Sequence, residues 1–210
     1  MNICIKICGI TTPADGQAAA EAGADLIGLM FYPDSPRYVT LETAEAIAAA
    51  LPARVRRVGV FVNAQVELIH AAIAQCGLDW LQFHGEESPA FCARFSLPTI
   101  KAFRLRDATS LELLRAYDTD AWLLDAWSPG QRGGTGATFN WALAVEAAQH
   151  GRPIFLAGGL TPANVVEAIR VVRPFGVDVS SGVESAPGRK DIARMQAFVA
   201  AARAAAAALA

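Results

Sequence analysis

The chain has 210 residues, 53% of them apolar, and a formal charge of −2. That is enough apolar surface for a substantial core, and a near-neutral chain without a basic stripe does not look like a nucleic-acid binder. The cysteines Cys4, Cys8, Cys76 and Cys92 have no metal-ligand spacing, and the chain is far larger than a disulfide-stapled mini-domain. Reduced thiols in a cytoplasmic protein, with no metal, are expected. Met1–Ile10 has no basic stretch followed by a clean apolar run, because Lys6 interrupts it. No apolar stretch reaches about 18 residues, so neither an export signal nor a membrane span is expected.

In chain order, short β-branched runs alternate with Ala-rich helical stretches. Strands are predicted at Ile3–Cys8, Leu26–Phe31, Val55–Val62, Trp80–His84, Thr99–Leu105, Ala121–Ala126, Pro153–Ala157 and Gly176–Ser180. Helices are predicted at Pro13–Ala22, Leu41–Leu51, Gln65–Gln75, Pro89–Phe95, Ser110–Ala116, Asn140–Gln149, Pro162–Val172 and Lys190–Ala207. Thr12, Ser88 and Thr161 each stand before a proline, the pattern of a hydroxyl cap with Pro in the first helical position, where no N–H is missed. Gly23, Gly77 and Gly151 follow helical stretches as C-terminal caps. Strands separated by helices pair in parallel, and eight such units predict an α/β fold: one (βα)8 barrel over residues 1–210, with an open doubly wound sheet as the alternative. No linker divides the chain, and Ala200–Ala210 reads as a fraying helix end.

Side chains along a strand alternate between faces. Ile3, Ile5 and Ile7 share one face of the first strand; Cys4, Lys6 and Cys8 share the other. In the same way Leu81 and Phe83 oppose Gln82 and His84, Trp122 and Leu124 oppose Leu123 and Asp125, and Val177 and Val179 oppose Asp178 and Ser180. Polar groups from separate strands thus face away from the helix-covered side, toward a common lumen. Buried polar groups cost free energy unless paired. Cys8, His84, Asp125 and Ser180 end their strands at the C-terminal mouth, where such barrels place their chemistry. For single residues plainer readings stand: Cys4 as core, Lys6 as the ion-pair partner of an inward Asp such as Asp125.

Several stretches resemble the phosphoribosylanthranilate isomerase family. They are Lys6–Thr11, Phe31–Pro33 with Ser35–Val39, Gln82–Gly85, Leu124–Asp125 followed by Gly133–Gly136, Ala157–Pro162 with Asn164, and Asp178–Glu184 followed by Pro187–Asp191. They occur in family order along the whole chain. Asn140 stands where the family commonly has Asp; both cap helices well. The resemblance implies a cofactor-free enzyme of tryptophan biosynthesis, monomer or homodimer. Its reaction is the Amadori rearrangement of N-(5-phosphoribosyl)anthranilate, a small phosphosugar.

The same resemblance implies roles for residues. Asp125 is the general acid that opens the furanose ring. A free Asp has a pKa of about 3.9, and burial at the mouth is expected to raise it. Cys8 is the base for the sugar C–H. A free thiol, with a pKa of about 8.5, is little ionised at neutral pH, and Lys6 on the same face is expected to help. Arg37 is assigned to the anthranilate carboxylate, since a guanidinium grips a carboxylate through paired hydrogen bonds. Gly158, Gly159, Ser180, Ser181 and Gly182 are assigned to the phosphate, where loops after the last two strands commonly bind it. Lys6, Gln82, His84 and Asp178 are the remaining candidate substrate ligands. Gly130–Gly136 has the composition of a mobile cover; its glycine spacing matches no Walker or dinucleotide fingerprint.

Rival phosphosugar barrels fit less well. A pentose-phosphate epimerase wants metal-ligating His and Asp on several strands, but His70 and His150 fall in helical stretches. An indole-glycerol-phosphate synthase wants catalytic lysines and a glutamate at strand ends, and an extra N-terminal segment. A dual-substrate histidine/tryptophan isomerase wants an Asp where Cys8 stands. A non-catalytic phosphate-binding barrel has no need for Cys8 and Asp125 to face each other.

Overall fold

A computed structural model describes residues 1–105, 107, 109–126 and 141–209. Eight parallel strands close into a barrel: β1 (Cys4–Cys8), β2 (Leu26–Met30), β3 (Arg56–Phe61), β4 (Trp80–Phe83), β5 (Thr99–Leu105), β6 (Ala121–Ala126), β7 (Ile154–Leu156) and β8 (Gly176–Val179). β1 pairs with β8, Lys6 opposite Asp178, which closes the ring and removes the open-sheet alternative. Helices follow each strand: α1 (Pro13–Ala22), α2 (Leu41–Ala50), α3 (Val66–Cys76), α4 (Pro89–Cys92), α5 (Ser110–Leu114), α6 (Trp141–Ala148), α7 (Val165–Val172) and α8 (Ile192–Ala207). No helix is long and apolar enough to cross a membrane among the described residues.

The predicted alternation sorts the apolar residues into two clusters. Ile3, Ile5, Ile7, Leu81, Phe83, Trp122, Leu124, Val177 and Val179 pack between strands and helices. Cys8, Leu26, Val58, Val60, Ile100, Ala102, Leu123 and Phe155 fill the lumen, with Cys4 packed against them. All four cysteines are free thiols.

The helix ends explain themselves locally. Thr12 and Ser88 accept from the N–H groups of Asp15 and Phe91, as their Thr-Pro and Ser-Pro pairs predict. Gly23 and Gly77 close α1 and α3 in the left-handed conformation. Thr161-Pro162 does not start a helix. Its turn is instead organised by Asn164, whose Oδ1 accepts from Thr161 N while its Nδ2 donates to Gly159 O, and α7 begins only at Val165. The last helix does not begin at Lys190 either. Asp191 caps it by accepting from Arg194 N. Lys190 belongs to a small antiparallel strap, β9 (Glu184–Ala186) with β10 (Arg189–Lys190), that follows a 3-10 turn at Ser181–Val183.

Three carboxylates staple the N-terminal rim in a repeating pattern. Asp25, Asp79 and Asp120 each stand just before an even-numbered strand. They accept the N–H of Ile5 at 2.7 Å, Arg57 at 2.8 Å and Thr99 at 2.7 Å, on the strand before. At the fourth junction Phe175 holds that place, and its carbonyl accepts from Cys4 N at 3.0 Å.

The loop after β4 is clamped from outside the barrel. Lys101 Nζ donates to Gly85 O at 2.7 Å, to Phe83 O at 3.3 Å and to Glu87 Oε2 at 3.0 Å. Glu87 also accepts from Asn63 N at 2.8 Å. Both side chains are almost fully buried, so removing one charge strands the other. Lys101→Met is therefore expected to destabilise the fold by about 3 kcal/mol. In a chain of this size that lowers the unfolding midpoint by roughly 6–12 °C, which calorimetry checks.

Candidate active site

Cys8, His84, Asp125 and Ser180 lie at the C-terminal ends of β1, β4, β6 and β8, at one mouth of the barrel. At the end of β1, Cys8 is 7% exposed. Its sulfur fits because β2 places Gly28 beside it: a Cβ there would lie 2.6 Å from Sγ. Lys6, one turn of the pleat below, has no exposed surface and bonds Asp178 Oδ1 at 2.8 Å. The inward Asp that Lys6 pairs with is thus Asp178 of β8, its register neighbour, and not Asp125. The Lys6 ammonium, expected from sequence as a substrate ligand, is buried and bonded to Asp178. Burial alone would depress the lysine, but Asp178 and Cys8 outweigh it and hold its pKa above the ordinary value. Burial pushes the Cys8 thiol up. Lys6, and more weakly Lys190, pull it back without overcoming that rise.

On the opposite part of the ring, His84 Nε2 lies 3.5 Å from Asp125 Oδ2. Gln82 is only 1% exposed, and its Nε2 lies 3.0 Å from His84 Nδ1. Gln82, expected from sequence as a substrate ligand, is buried in contact with His84. Its Oε1 has no hydrogen-bond partner among the described residues.

At the β7 and β8 ends, Gly158 and Gly159 have φ of 80° and 65°, conformations in which side chains strain. Gly182 packs on the same loop so closely that a Cβ would fall 1.9 Å from Leu160 O. The glycine segments at 158–159 and 180–182 therefore form one continuous surface. The backbone N–H groups of Gly158, Gly159, Ser181 and Gly182 meet no backbone carbonyl among the described residues. Such N–H groups, brought close by glycine, suit an anion.

Arg37 reaches this area from the loop after β2. Its stem crosses Gly9, where a Cβ would come within 2.4 Å of Arg37 Cδ and 3.1 Å of Ser180 Oγ. Its guanidinium is engaged by Glu184, through Nε to Oε1 at 2.8 Å and Nη2 to Oε2 at 2.7 Å. Sequence reasoning gave Glu184 and Lys190 no task. Their signal was only their place in the final family-like block. The Gly130–Gly136 loop and Asn140 lie outside the described residues. Among the described residues no group of His, Cys, Asp and Glu is arranged to hold a metal ion.

A family model described as N-(5'phosphoribosyl)anthranilate (PRA) isomerase matches residues 5–201. The chain belongs to that family. It is similar, at 51% identity, to the N-(5'-phosphoribosyl)anthranilate isomerase of Geobacter metallireducens, over 93% of this chain and 96% of the relative. The Geotalea uraniireducens relative of the same name is 53% identical over the same shares. Among solved structures, the phosphoribosyl anthranilate isomerase of Thermotoga maritima superposes with a TM-score of 0.90 at 40% identity, covering 97% of this chain and 100% of that one. Another structure of a family enzyme, in complex with reduced 1-(o-carboxyphenylamino)-1-deoxyribulose 5-phosphate, has a TM-score of 0.86 at 38% identity, with the same coverage. The barrel is thus that of an isomerase, and both halves of the mouth lie within the matched residues.

Proposed function

We propose that this mouth converts N-(5'-phosphoribosyl)anthranilate into 1-(2-carboxyphenylamino)-1-deoxyribulose 5-phosphate in tryptophan biosynthesis, with Asp125 as acid, Cys8 as base and no cofactor. The observation that carries the reading is the collection of a thiol, a carboxyl and a glycine-lined anion surface at one barrel end, in a chain of this family. Asp125 gives a proton to the furanose oxygen as the ring C1–O bond breaks, and the anthranilate nitrogen lone pair forms an iminium. The Cys8 thiolate then removes the proton on C2. The C–H electrons become the C1–C2 double bond, and the iminium nitrogen regains its pair. The resulting enolamine ketonises by losing its C2 hydroxyl proton and gaining one at C1. Atoms and electrons balance within the substrate, so the reaction itself calls for no redox partner.

The anion surface at Gly158, Gly159 and Ser180–Gly182 holds the phosphate, and Arg37 takes the anthranilate carboxylate. Asp178 keeps Lys6 aimed at Cys8 and has a second oxygen for a substrate hydroxyl. His84 steadies the carboxyl of Asp125. Supplied with N-(5'-phosphoribosyl)anthranilate, the purified protein should abolish its anthranilate fluorescence with saturation kinetics. Fluorescence that decays no faster than in buffer would remove this function.

A further inference from the structure

Glu184 and Lys190 sit on the β9–β10 strap, 6% and 7% exposed, at a place where the sequence offers no obvious reason for charge. Glu184 takes both Arg37 contacts described above and a third from Lys190 Nζ, at 2.8 Å on Oε1. Lys190 Nζ continues to the carbonyl oxygen of Cys8 at 2.6 Å and that of Ser180 at 3.2 Å. The strap is fixed to its neighbours by backbone as well. Thr11 Oγ1 donates to Gly188 O at 2.6 Å, and Gly188 packs so tightly that a Cβ would fall 2.8 Å from Pro36 O. One buried carboxylate therefore ties together the loop carrying Arg37, the end of β1 and the end of β8.

This arrangement costs desolvation, and the two cations offset it, holding the Glu184 carboxyl below the usual range. An arginine on a long stem loses about 2 kcal/mol of rotamer entropy when it is fixed. A bidentate carboxylate fixes its plane before any ligand arrives, so the ligand does not bear that cost. Nε and one side of Nη2 are occupied by Glu184, while Nη1 has no hydrogen bond among the described residues.

We propose that Glu184 is a positioning residue for substrate recognition: it holds one edge of the Arg37 guanidinium so that the other edge meets the carboxylate on the anthranilate ring, and through Lys190 it keeps that edge in register with Cys8. The proposal rests on the assignment of Arg37 to that carboxylate. The test uses two stable probes: the reduced product 1-(2-carboxyphenylamino)-1-deoxyribulose 5-phosphate and its counterpart without the ring carboxylate. Their dissociation constants are measured by titration calorimetry for wild type, Glu184→Gln and Arg37→Met. Glu184→Gln should weaken the carboxylated probe about tenfold, as loss of one well-placed charged hydrogen bond does, and leave the other probe within a factor of about two. Equal weakening of both probes, or of neither, would overturn the positioning role. If Arg37→Met is selective for the carboxylated probe and Glu184→Gln is not, only the positioning role fails. If Arg37→Met is itself unselective, the assignment beneath it fails. Glu184→Asp retains the charge at a shorter reach and should give an intermediate, equally selective loss. It carries the test should Glu184→Gln not fold, and unselective loss in Glu184→Asp overturns the proposal as well.

Discussion

Cys8→Ser is expected to lower turnover by about 10²–10⁴-fold, the share a positioned general base supplies, while the unfolding midpoint stays close to that of the wild type. The hydroxyl fills nearly the same space against Gly28 and still offers Lys6 an acceptor, so the fold has little to lose. An alcohol, however, ionises far less readily than a thiol, and the base is lost. The pH dependence follows from the same site. Burial raises the Cys8 thiol above its ordinary value, and Lys6 and Lys190 only partly reverse this. The thiolate is the working form, so acidifying below the thiol pKa removes base. The rate of Cys8 alkylation by a small haloacetamide reads the thiolate alone, and it should climb about tenfold per pH unit through the neutral range and level off only on the alkaline side. The serine variant should lack that reaction. An alkylation rate flat from neutral to alkaline pH would contradict the raised thiol, and near-normal turnover for Cys8→Ser would take the thiol out of the mechanism.

The fold was legible because its main signal is periodic. Ile3, Ile5 and Ile7 against Cys4, Lys6 and Cys8 is a period-two pattern that a closed barrel converts directly into outer core and lumen. The site's polar lumen residues were legible for the same reason, as departures from what a packed interior prefers. What stayed hidden depended on pairings between residues distant in sequence. Lys6 had two inward aspartates to choose from, and only the β1–β8 register decides for Asp178, 172 positions away. Lys190 looked like the polar start of a helix because its neighbours have helical character; nothing local shows that the strap turns it inward to reach Cys8 O. The Thr161-Pro162 start failed because Asn164, three residues on, supplies a competing turn. The rim staples at Asp25 and Asp79 did carry a local cue, a Gly-x-Asp at each helix-to-strand junction. Only the hydrogen bonds to the preceding strand give it meaning.

The second large effect is expected at Asp125. Asp125→Asn preserves shape and can still face His84, yet an amide cannot hand a proton to the furanose oxygen. Turnover should fall by about 10²–10⁴-fold, with the loss in kcat, because the phosphate and carboxylate ends of the substrate are held elsewhere. The neighbours of this residue favour that role. Its carboxyl is about one-sixth exposed, at 16%, and its one ion-pair contact among the described residues is His84 at 3.5 Å. Gln82 Nε2 lies 3.0 Å from His84 Nδ1 and helps fix the ring that faces Asp125. The lysine that could have locked Asp125 as a carboxylate is spent across the lumen on Asp178. Steady-state kinetics, with binding of the reduced product followed by calorimetry, separates the outcomes. Intact binding with collapsed kcat supports the acid role. Lost binding with kcat retained at saturation would make Asp125 a substrate ligand instead, and the ring-opening proton would then have to come from another group at the mouth.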